Sequence, residues 1–100
     1  MNRHILKAWP LNFEKLCIRQ RNFLFVTHNE KYIVGDLLLI QEYNPEPNID
    51  KLTGNNFESR IIDYSNDYQK LVGLQKGYGI ISIAKPFNFN LKYRNKKEIK

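Results

Sequence analysis

Val34-Gly35-Asp36 runs straight into Leu37-Leu38-Leu39-Ile40, and this junction constrains the fold more than any other stretch of the chain. Glycine takes positive φ at little cost, and aspartate bonds its own local backbone, so the pair makes a turn. Four consecutive apolar residues after a turn read as a strand buried on the inside of a small β-structure. With 100 residues, 42% of them apolar, the chain has material for one domain and one core.

Other segments arrange themselves around that strand. His4 to Trp9 reads as a first strand. Pro10 fits the first turn of a helix, where its missing N–H costs nothing. Phe13, Leu16, Cys17 and Gln20 follow at helical spacing, with Glu14, Lys15 and Arg19 facing away. Asn22 to His28 is nearly all apolar and predicts a strand buried on both faces. The strand from Leu37 ends near Tyr43, because Pro45 and Pro47 remove ladder donors. A polar loop is expected from there to Asn56, with Gly54 in a second turn. Phe57 to Tyr64 and Gly77 to Ala84 read as strands, and the polar stretch Ser65 to Lys76 as carrying one helical turn around Tyr68 to Val72. Phe87, Phe89, Leu91 and Tyr93 then alternate with Asn88, Asn90, Lys92 and Arg94, the pattern of a half-buried strand. The expected division is a body over 1–84, an added amphipathic strand over 85–94 and a basic, disordered tail over 95–100.

The formal charge of +6 is unevenly placed. Met1 to Ala84 holds ten Lys or Arg against nine Asp or Glu, whereas Lys85 to Lys100 holds six against one. A basic end favours an anionic partner or serves as a solubilising tail. No run approaches a membrane span, the N-terminus does not read as a signal peptide, and the single Cys17 cannot pair within the chain. A cytoplasmic location is therefore expected. His4 and His28 lack companions at metal-ligand spacing, the five glycines form no phosphate loop, and Ser59, Ser65 and Ser82 stand in no nucleophile elbow. No metal or cofactor is expected. Cys17 reads as a small core residue.

The order His4-x-x-Lys7-x-x-Pro10, Phe13, Tyr32-x-Val34-Gly35-Asp36, Glu42-Tyr43-Asn44-Pro45, Gly54 and Gly73-Leu74-Gln75-Lys76-Gly77-Tyr78 resembles the family of small bacterial and phage proteins called DUF3850, of the PUA/ASCH-like superfamily. The resemblance covers about residues 4 to 84. It implies an α+β fold, a small PUA-like mixed β-barrel with one or two short helices, and a role in binding RNA or modified nucleosides. Some ASCH-like relatives are amidohydrolases acting on acetylated cytidine. On this resemblance, however, Leu24 stands where family members carry Glu, Val26 where they carry Arg, and Arg21 where the hydrolases carry a reactive Lys. Arginine stays protonated and replaces lysine neither as nucleophile nor as base.

These departures favour a non-enzymatic module that binds RNA or single-stranded nucleic acid through Lys7, Arg19, Arg21, Lys92, Arg94, Lys96 and Lys97. A ligand pocket would draw on Lys7, Glu42, Tyr43 and Tyr78, with Lys7 and Glu42 as a ligand-binding pair or a surface ion pair. Of the aromatics, Trp9, Phe23, Phe25 and Phe57 read as core. Tyr32, Tyr43, Tyr64, Tyr68 and Tyr78 read as half-buried, or as base-stacking residues beside Arg19, Arg21 or Lys31. The alternative is a phage-type or accessory protein that binds or inhibits another protein, using Phe87, Phe89, Leu91 and Tyr93 as a partner strand or as a homodimer contact. A residual amidohydrolase built on Lys7 and Glu42 is the third reading.

Overall fold

The computed structural model describes residues 2–27, 31–45, 51–66 and 77–91. Its elements are β1 (Arg3–Ala8), α1 (Pro10–Cys17), β2 (Phe23–Thr27), β3 (Leu37–Asn44), β4 (Lys51–Ser65), β5 (Tyr78–Ile83) and β6 (Phe87–Asn90). The strands form one mixed sheet in the order β1-β3-β4-β5-β2, with β6 on β4. β1 runs parallel to β3, and every other ladder is antiparallel.

The sheet is open, which corrects the expected closed barrel: β1 and β2 end the order and are not joined. The reason lies in β4. Its 15 residues serve β3 along one edge through Arg60, and a bulge between Ile61 and Asp63 turns it into the ladder with β5. β5 and β6 lie in succession along its other edge. Ala84 N–H still donates to the Arg60 carbonyl, and Glu58 then pairs with Phe87. Pro86, which has no N–H, falls at the break between them. The segment expected as an added strand therefore pairs with its own sheet. Its alternation is interrupted by Asn88 at φ 52°.

One helix is present among the described residues. Pro10 opens it, and Phe13 and Leu16, three residues apart, are wholly buried. Phe13 meets Phe57 of β4 at 5.3 Å between ring centroids. With Leu38, Ile40, Ile61, Ile81, Ile83, Leu24 and Val26 they form the core. Each such side chain contributes about 1.5–3 kcal/mol on burial. Arg19 at φ 64° ends the helical region in the left-handed conformation.

Several expectations change here. β4 begins at Lys51, so the segment up to Asn56 is strand and not loop. β2 buries one face and not two: Leu24 and Val26 point inward, while Phe25 is 61% exposed and Phe23 is half-buried. Trp9 precedes α1 and is 64% exposed. Of the four aromatics read as core, Phe57 alone is buried. The helical turn expected around Tyr68 to Val72 lies outside the described residues, as does the tail over 95–100.

The Gly35-Asp36 turn performs the expected entry into β3. Gly35 sits at φ 98°, a region open to glycine and strained for other residues. Asp36 is buried and ties the turn to β1. His4 Nε2 lies 2.8 Å from Asp36 Oδ2, and the Ile33 N–H donates to the same oxygen at 3.2 Å. An ionised carboxylate only accepts, so the proton of this contact sits on His4 Nε2. That hydrogen bond, with backbone bonds from Asn2 and Ile33 and against the opposing cost of burial, holds the Asp36 carboxyl below its ordinary value of 3.8.

Candidate nucleic-acid interface

In an antiparallel ladder, residues directly opposite share a face. The β2–β5 register pairs Phe23 with Ser82, Phe25 with Ile80 and Thr27 with Tyr78. All six therefore lie on the outer face, away from Leu24, Val26, Ile81 and Ile83. Phe25 is well exposed and Tyr78 is 42% exposed. Phe23 meets Phe25 edge-on, with centroids 5.9 Å apart and planes at 88°. Two arginines stand at the Phe23 end. The Arg21 guanidinium lies 5.6 Å from the Phe23 ring centroid and donates to Asn12 Oδ1. Arg19 donates to the Ile83 carbonyl at 3.5 Å. Asp63 of β4, opposite Ser82, places one acid on the same face.

Aromatic side chains on a sheet face with arginine beside them can stack unpaired bases and neutralise phosphates. Isolated exposed apolar residues are ordinary, whereas a contiguous group marks a contact surface. The sequence reading missed Phe23 and Phe25. The run Phe23-Leu24-Phe25-Val26 is apolar at every position, so it hides which face is covered. The flanking Arg21 and Thr27, in phase with Phe23 and Phe25, carry the signal.

The other expected site residues are dispersed. Lys7 is exposed on β1, with its ammonium 4.8 Å from the Tyr43 ring centroid. β1 pairs Lys7 with Gln41 and Ala8 with Glu42, so Lys7 and Glu42 lie on opposite faces of the sheet. Glu42 is buried and accepts from Thr53 Oγ1 at 2.7 Å and Asn55 Nδ2 at 2.9 Å. Tyr78 belongs to the β2–β5 face described above. The structure thus joins Lys7 with Tyr43 and separates both from Glu42 and Tyr78. Phe87 and Phe89 are partly exposed on β6; Phe89 packs against Phe57 at 5.7 Å, and Leu91 against the core. Lys92, Tyr93, Arg94, Lys96 and Lys97 lie outside the described residues.

A shallow depression of about 310 Å³ is lined by Asn2, Ile33, Val34, Gly35 and Asp36. The Asp36 oxygens at its edge already accept from His4, Ile33 and Asn2, so its chemistry is that of the turn. Among the described residues, no three His, Cys, Asp or Glu side chains gather to hold a metal ion, and no helix is long and apolar enough to cross a membrane.

The fold and this face define a small open mixed sheet, packed against α1, with an aromatic and arginine-bearing outer surface. The chain belongs to the family called Domain of unknown function (DUF3850), whose match spans residues 3–83. No curated protein matches it.

Proposed function

We propose that this protein is a non-enzymatic module of PUA/ASCH-like ancestry that binds RNA or single-stranded nucleic acid in the cytoplasm. The observation that carries the reading is the outer face of β2 and β5, where Phe23, Phe25 and Tyr78 are accessible and Arg19 and Arg21 stand at one end. Bases would stack on the rings while the arginines and the basic C-terminal residues meet phosphates. The separation of Lys7 from Glu42 by the sheet counts against a hydrolase built on that pair.

The test is fluorescence anisotropy of single-stranded and duplex RNA and DNA with the full chain, across a salt series. Single strands are expected to bind more tightly than duplexes. Tyr78→Ala is expected to weaken binding roughly 5- to 150-fold, the equivalent of the ~1–3 kcal/mol carried by one stacked base. Arg21→Ala is expected to lower the slope of log affinity against log salt by about 0.7, the release of one counterion from a single strand. Absence of binding at low salt would overturn the reading.

A protein partner is the second reading, in the manner of a phage-type or accessory inhibitor. It draws on the partial exposure of Phe87 and Phe89 at the edge strand β6. A partner whose capture is insensitive to salt and lost with Phe87→Ala would favour it.

A further inference from the structure

Among the described residues, β1, β2 and β6 each form a ladder with a single strand, and they differ in charge. β2 (Phe23–Thr27) and β6 (Phe87–Asn90) carry no charged side chain, and Asn88 at φ 52° interrupts β6. β1 carries Arg3 and Lys7, both exposed, with Ile5 between them at 57% exposure. These side chains lie on the outer face, since His4 and Ala8 are buried on the inner one. The Lys7 ammonium lies over the Tyr43 ring, and among the described residues neither Arg3 nor Lys7 has a carboxylate partner. The backbone of β1 alternates as well. The Leu37 N–H donates to the Asn2 carbonyl, and the parallel register runs unbroken from Arg3 opposite Leu37 to Ala8 opposite Glu42. Even-numbered residues therefore turn their backbone groups to β3. Arg3, Ile5 and Lys7 turn theirs away from the sheet, where they meet no partner among the described residues.

We propose that the β1 edge binds an extended acidic segment of a partner protein, which joins the sheet as an added strand antiparallel to β1. In that pairing Arg3, Ile5 and Lys7 each exchange both backbone hydrogen bonds with the residue opposite. Directly opposite residues share a face, so the partner segment carries an acid opposite Lys7, an apolar residue opposite Ile5 and an acid opposite Arg3, at alternate positions. Opposite charges so placed are favourable and like charges are destabilising. The residues between them face inward, beside Leu6, which packs against the core. A second copy does not fit: turning β1 about Ile5 sets Arg3 against Lys7 twice. Charges on an edge are a common guard against such self-pairing. Here the guard has one sign, so it repels a copy of β1 and attracts an acidic strand. Nucleic acid brings negative charge without a strand's repeating row of N–H and C=O groups, so the edge suits a peptide. This surface is separate from the β2–β5 face and does not depend on nucleic-acid binding there.

Two-dimensional amide NMR of the full chain, titrated with the peptide acetyl-Thr-Glu-Val-Val-Val-Glu-Thr-amide, tests it. The Arg3, Ile5 and Lys7 amides are expected to shift downfield and gain protection from hydrogen exchange, while the His4 and Leu6 amides, already bonded to β3, keep the protection they have. The same peptide with Lys in place of both Glu is expected not to bind. Methylating the nitrogen of the central Val removes the donor to the Ile5 carbonyl and is expected to weaken binding roughly 2- to 12-fold, the worth of one hydrogen bond. Arg3→Glu and Lys7→Glu are each expected to weaken binding of the Glu peptide roughly 2- to 30-fold, as one favourable pair becomes a repulsive one, and to admit the Lys peptide. The peptide changes act on wild-type protein and keep the test decisive should a variant lose structure. No shift at millimolar peptide, equal binding of the Glu and Lys peptides, or shifts without the alternation along β1 would overturn the proposal.

Discussion

The two outer faces of this sheet share one backbone and differ in what they leave unsatisfied. On the β1–β3–β4 side, Lys7 lies over Tyr43, Arg60 donates to the Gly35 carbonyl, and Glu58 accepts from Asn88. Cations, acids and amides are interleaved there, and the apolar Ile5 and Leu39 sit among them. On the β2–β5 side, Phe23, Phe25, Tyr78 and Ile80 adjoin one another, and the arginines stand at one end. On the first face these charged and amide groups meet partners of the same sheet. The second groups ring faces beside Thr27, Ser82 and Asp63, with positive charge at one end, and it is this grouping that the proposed function assigns to bases and phosphates.

Aromatic truncations break the comparison most sharply. Phe57→Ala, at a ring wholly buried between the sheet and α1, is expected to cost about 3–5 kcal/mol of stability. Tyr78→Ala on the outer face is expected to cost under about 1 kcal/mol while weakening nucleic-acid binding as given above. Urea unfolding beside anisotropy separates the two effects, and a large stability loss in Tyr78→Ala would make that ring structural. Gly79→Ala comes next. A Cβ at Gly79 would lie 2.7 Å from Tyr64 Cε1 and 3.2 Å from the Ser65 carbonyl oxygen, so the overpacking is expected to cost about 1–3 kcal/mol. This bears on the inner side of the same ladder, and a wild-type urea midpoint would show that the Tyr64 ring moves freely.

Smaller effects sharpen the contrast. Asp63→Asn removes the acid beside Ser82 and is expected to tighten nucleic-acid binding roughly twofold, of the order of a surface charge interaction near 0.5 kcal/mol. Lys7→Ala on the opposite face is expected to leave affinity for single strands within error. Equal losses in Lys7→Ala and Arg21→Ala would erase the distinction between the faces.

The last prediction is silent near neutral pH. The Asp36 carboxyl has a lowered folded-state pKa, chiefly through its hydrogen bond from His4. The unfolded chain therefore takes up this proton first as the solution is acidified. The stabilisation is complete above the ordinary value of 3.8 and is lost as pH falls through the lower folded value. Thermal unfolding from neutrality to pH 2 is expected to show this loss in wild type and not in Asp36→Asn. A parallel pair of curves would contradict it.

Much of the fold is legible in the residues. Pro10 with Phe13 and Leu16 places the helix, the Gly35-Asp36 turn places β3, and the run Ile80-Ile81-Ser82-Ile83 places β5. What is hidden has physical causes. Glycine and asparagine at 54–56 read as a loop, yet Gly54 at φ 95° lets β4 run through them. Barrel closure depends on which edges meet, and the split of β4 between β3, β5 and β6 leaves β1 and β2 apart. The aromatic face is concealed because Phe23 to Val26 is apolar on both faces, and only the tertiary structure chooses which side to cover.

The most direct test of the central claim is a two-dimensional amide NMR titration of the full chain with an unstructured single-stranded RNA oligonucleotide. The account predicts salt-sensitive shifts concentrated at Arg19 to Thr27 and Tyr78 to Ser82, with the β1 and β3 amides from Arg3 to Lys7 and Leu37 to Gln41 unmoved. Shifts confined to β1 and β3, or no shifts at low salt, would contradict it.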